Sequence, residues 1–84
     1  MFSYTFSFRS LTSAQIAKME LESIGIYAQL ERAPKAISKQ GCGYILHVRA
    51  AEGARTADCL RQRQISYQKV FRTFHNGTVE EASL

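Results

Sequence analysis

Tryptophan is absent from the chain, proline occurs once and cysteine twice. A lone proline and five glycines in an otherwise ordinary composition exclude disorder across the bulk of the chain. Two cysteines, Cys42 and Cys59, cannot build a disulfide framework. With His47 and His75 they also lack the paired close spacings of a zinc site, so no metal is expected. No uninterrupted apolar run approaches the roughly 18 residues of a membrane helix. The opening Met1-Phe2-Ser3-Tyr4-Thr5-Phe6 has neither the basic nor the apolar segment of a secretory signal. Phosphate-binding glycine loops and a Gly-x-Ser-x-Gly elbow are missing too, so neither a nucleotide cofactor nor serine hydrolysis is indicated. These absences predict a cytoplasmic protein without cofactor or membrane contact, its thiols kept reduced.

What is present suffices for one fold. With 84 residues, 45% of them apolar, the chain can bury a single core and offset the entropy of ordering. Residues 1–75 read as one domain and 76–84 as a flexible acidic tail. All eleven Lys and Arg precede His75, together with only five of the seven acids, and Glu80 and Glu81 lie beyond it. A basic body favours an anionic partner or simply a solvated surface of mixed charge.

Phe2, Tyr4, Phe6 and Phe8 alternate with Ser3, Thr5 and Ser7, the period of a half-buried strand whose aromatic face goes inward. Ala14, Ala17, Leu21 and Ile24 then recur at three and four, predicting a helix over 12–24. A Thr12/Gln15 capping box would start it and Gly25 would stop it. Ile26, Ala28 and Leu30 alternate as a second strand, followed by an irregular stretch, 32–41, with a short helical turn around Ala36 and Ile37. Tyr44 to Arg49 makes a third strand. A second helix runs from about Glu52 to Arg63 with Ala54, Ala57 and Leu60 inward and Cys59 away from them. Ile65 to Phe74 is the last strand. This β-α-β-β-α-β order predicts an α+β, ferredoxin-like domain, a four-stranded antiparallel sheet with two helices on one face.

Chemistry concentrates at Cys42. It stands between Gly41 and Gly43, which permit positive φ and leave the sulfur uncrowded. Lys35 and Lys39 share its loop and Arg32 borders it, and nearby cations favour the nucleophilic thiolate. Backbone amides of Gly41 and Gly43 would add an anion nest. The plainer reading is a tight turn holding a small side chain. His47 is five residues on, roughly 16 Å along an extended strand, too far for a Cys–His pair. It shares a face with Ile45 and Arg49. No general base is therefore evident, which points to a carrier or binding module more than to an enzyme. RNA binding would need exposed strand aromatics, which the first strand buries, so nucleic acid is disfavoured. Ile16 and Met19 lie off the inner face of the first helix and leave partner contacts, including a homodimer, open.

Several stretches resemble the selenium/sulfur carrier protein-like family: Y-T-F at Tyr4–Phe6, E-S-I-G-I at Glu22–Ile26, P-x-x-I-S at Pro34–Ser38, and Cys42-Gly43 leading into Y-I-L-H-V. The resemblance spans residues 2 to 74. It implies that Cys42 accepts sulfur or selenium as a persulfide or selenosulfide and hands it on, with donor and acceptor proteins as partners. The alternative is a non-catalytic ferredoxin-like module that binds a small ligand or docks on a protein.

Overall fold

β1 (Phe2–Phe8) is the central strand of the sheet, and its alternation sorts two faces. A computed structural model of the chain describes residues 1–38 and 43–84. After β1 come α1 (Leu11–Ser23), β2 (Gln29–Arg32), a four-residue helix α2 (Lys35–Ser38) and β3 (Tyr44–Arg49). A 3-10 turn (Ala50–Glu52) then leads into α3 (Gly53–Gln62), β4 (Val70–Phe74) and β5 (Val79–Ala82). The strands form one antiparallel sheet in the order β2-β3-β1-β4-β5.

The main core lies between this sheet and the pair α1 and α3. Phe6 and Phe8 of β1, Leu46 and Val48 of β3 and Val70 of β4 pack there against Ala14, Ala17 and Leu21 of α1 and Ala57 and Leu60 of α3. α1 begins at Ser10, whose hydroxyl accepts the Ser13 N–H, so the cap lies two residues before the expected Thr12. It ends at Ser23, and Gly25 takes the φ of +85° that lets the chain reverse toward β2. Ile26 and Ala28 are buried and Tyr27 and Gln29 exposed, as their alternation predicts, although strand pairing starts only at Gln29. At the far end of α1, Arg63 pairs with Glu20 and ties the end of α3 to it.

Four expectations are corrected. The described residues hold five strands, not four. Val79–Ala82 returns along β4, setting Glu80 beside Arg72 at 3.0 Å and Glu81 beside Lys69 at 3.4 Å. The strand expected from Ile65 becomes regular β4 only at Val70, although Gln68 and Lys69 already exchange backbone hydrogen bonds with Ser7. In α3, Ala54 is exposed whereas Cys59, expected off the inner face, is 5% exposed within the core. Most consequential is the second face of β1. Thr5 and Ser7, expected in water, are fully buried, while Phe2 and Tyr4 are only half-buried and stack edge to face. The reason is tertiary: Ile37 of α2 packs with Ile45, Phe71, Ala33 and Val79 as a small second core on the side of the sheet away from α1 and α3.

Candidate functional site

Cys42, Lys39 and Gly41 lie outside the described residues. The frame that flanks them is described on both sides. Ser38 closes α2, its N–H donating to the Pro34 carbonyl at 2.8 Å. Gly43 opens β3 at the edge where β1 ends: its N–H donates to the Phe8 carbonyl at 3.1 Å, and its own carbonyl accepts the Ala33 N–H at 3.0 Å. Gly43 is thus held from both sides by backbone. Among the described residues, an added Cβ there would meet the Arg9 carbonyl oxygen at 3.9 Å, an ordinary contact. Its N–H is committed to Phe8, so what Gly43 contributes is chain placement and not a free donor.

The same edge collects positive charge. Arg9 directly follows β1. Arg32 ends β2 opposite Tyr44, and Lys35 begins α2. All three are exposed, and none has a carboxylate partner among the described residues. Every other described Lys and Arg has one: Lys18 pairs with Glu22, Arg49 and Arg55 with Glu52, Arg61 with Asp58, Arg63 with Glu20, Lys69 with Glu81 and Arg72 with Glu80. Glu31 is the acid beside Arg32 in sequence, but alternation turns it to the opposite face, toward His47. Arg9 donates from Nε to Gln68 Oε1 at 3.1 Å, which orients it without neutralising it. Sequence reasoning missed Arg9, because only the β1–β3 register brings it beside Gly43.

His47 lies on the face with Thr5, away from the main core. Its Nδ1 is 2.8 Å from Thr5 Oγ1, which is also 2.8 Å from Thr73 Oγ1, and its Nε2 is 3.6 Å from Glu31. A proton on Nε2 suits the carboxylate, so Nδ1 accepts from Thr5 and Thr5 accepts from Thr73. Near this relay an open cleft of about 300 Å³ is lined by Ser3, Tyr27, Gln29, His47 and Arg49. Register puts it at the opposite end of β3 from Gly43.

Cys59 is a free thiol in the main core. Burial pushes its pKa up, and the Arg55 guanidinium opposes this only in part. It is the inert kind of cysteine. His47 on one face, Cys59 under the other and His75 in the β4–β5 turn are not brought together, and no cluster of three metal-ligating side chains occurs among the described residues. No described helix is long and apolar enough to cross a membrane.

A family model described as "Putative Se/S carrier protein-like" matches residues 3–72. No curated protein and no solved structure matches the chain significantly. The family match runs from the start of β1 into β4, well over half of the sequence, and leaves β5 outside it. The chain belongs to the Se/S carrier protein-like family.

Proposed function

We propose that this protein carries sulfur or selenium on Cys42. In the transfer step the Cys42 thiolate attacks the terminal sulfur of a donor persulfide. The donor's S–S bond breaks, a new S–S bond forms on Cys42, and the donor departs as a thiolate. The step needs no outside oxidant or reductant. A selenosulfide forms in the same way, with an S–Se bond breaking and another forming. Reversal toward an acceptor protein unloads the carrier. The observation that carries the reading is the edge at Gly43, the next residue after Cys42. It is bracketed by Arg9 on one side and by Arg32 and Lys35 on the other, with Glu31, the acid next to Arg32 in sequence, turned toward His47. Positive charge without compensating carboxylates lowers a thiol pKa and steadies the anion of a persulfide. Lys39 adds a fourth cation in sequence, Gly41 precedes Cys42 in the sequence, and Gly43 anchors the chain there through its backbone. The chemistry calls for a reducing compartment such as the cytoplasm. β2, β3, β1 and β4 with α1 and α3 constitute a ferredoxin-like plan, to which β5 is an added edge.

The test is the pH dependence of alkylation of each cysteine. Cys42 should titrate at least about one unit below the ordinary thiol value near 8.5, and Lys35→Glu or Lys39→Glu should raise it. A Cys42 that titrates at or above that value would end the carrier reading. One observation favours a second reading, a small-ligand module: the cleft beside His47, whose ring is fixed by Thr5. Ligand-dependent shifts of the His47 ring with an unreactive Cys42 would select it.

A further inference from the structure

Seven of the ten described Lys and Arg side chains face a carboxylate within 4.0 Å. The three that do not, Arg9, Arg32 and Lys35, lie at the end of the sheet where β1 and β2 stop and β3 starts. Charges of one sign repel, and partners within reach would normally be recruited. Elsewhere this chain recruits them consistently, even across β4 and β5, where Arg72 and Lys69 meet Glu80 and Glu81. Exposed cations without a carboxylate, where every other described Lys and Arg faces one, suit an anionic partner.

We propose that Arg9, Arg32 and Lys35 form a docking surface for an acidic segment of a partner protein. The proposal builds on the carrier reading by naming the surface that a donor or acceptor presents to it. Its geometry is described independently of Cys42. Phe8 and Ala33 hydrogen-bond Gly43 from the two neighbouring strands, and their chain neighbours Arg9 and Arg32 thus flank that residue across the width of β2, β3 and β1. Arg9 bonds Gln68 through Nε, and its terminal guanidinium nitrogens have no hydrogen-bond partner among the described residues, a fork that suits a carboxylate. Protein is favoured over RNA because the aromatics at this edge are not a stacking platform: Phe8 is buried and Tyr44 is packed against the core.

Titration of the isotopically labelled protein with a hexaglutamate peptide, followed by amide shifts, tests this. The Arg9, Ala33 and Gly43 amides should move most, and binding should weaken steadily with salt. The triple variant Arg9→Gln, Arg32→Gln, Lys35→Gln should bind about tenfold more weakly, the combined effect of three exposed pairs. A control that removes as much charge elsewhere, Arg61→Gln, Arg63→Gln, Arg72→Gln, should bind nearly as the natural protein does. Equal loss in both variants would reduce the effect to net charge and overturn the proposal. Tighter, salt-resistant binding of a single-stranded RNA hexamer would overturn it in favour of nucleic acid. Cys42→Ser should still bind the peptide. A docking edge without a loadable thiol would thus sink the carrier reading alone, and a loadable thiol without peptide binding would sink only the docking surface.

Discussion

An added Cβ at Gly53 would lie 2.2 Å from Cδ2 of the Tyr4 ring, so the start of α3 packs directly against that ring. Alanine favours helix by about 1 kcal/mol over glycine, but displacing a packed ring costs about 1–3 kcal/mol. Gly53→Ala should therefore lower stability in urea titration, and in a Tyr4→Ser background the same change should raise it. Cys59 gives a pH signature. Its folded pKa is raised by burial, while the unfolded thiol ionises near 8.5. Its stabilising contribution is complete below about pH 8.5 and is lost as pH rises through the higher folded value. Stability measured across the alkaline range should fall less steeply in Cys59→Ala than in the natural chain. Thr5 is the residue most at odds with its local pattern. Fully buried, it bridges His47 and Thr73, and Thr5→Val should cost about 1–3 kcal/mol by stranding both partners.

Among the elements, β1 and α1 were legible because their periods are clean and their partners local. Phe6 is buried as its alternation requires, and Phe6→Ala should cost about 3–5 kcal/mol in equilibrium unfolding. A loss below about 1 kcal/mol would contradict the face assignment. β5 was not legible. Val-Glu-Glu-Ala carries little apolar pattern and becomes a strand because β4 offers an open edge with Arg72 and Lys69 along it. The burial of Thr5 and Ser7 was equally hidden, since it depends on Ile37 reaching across from another part of the chain. Ile37 is 1% exposed and holds the second core together, so Ile37→Ala should cost about 2–5 kcal/mol. That residue belongs to the Pro34–Ser38 motif on which the family resemblance partly rests, and its packing gives the motif a physical role: it fastens the segment before Cys42 to the sheet.

For the whole molecule, the sequence disclosed a basic body but not its arrangement. Most of its described cations face carboxylates, and the other three described ones sit where the β1–β3 and β2–β3 registers meet at Gly43. Arg32 and Lys35 were visible as neighbours of the loop, whereas Arg9, distant along the chain, became visible only through strand pairing. Of the two cysteines, Cys59 is sealed in the core, whereas Cys42 lies outside the described residues and precedes Gly43 in sequence. The most direct measurement is intact-mass and peptide mass spectrometry after exposure to a persulfide donor. The carrier account predicts a gain of one sulfur on Cys42, removed by reductant, absent from Cys42→Ser and retained in Cys59→Ser. Equal loading of both cysteines, or a Cys42 that remains unmodified, would contradict it.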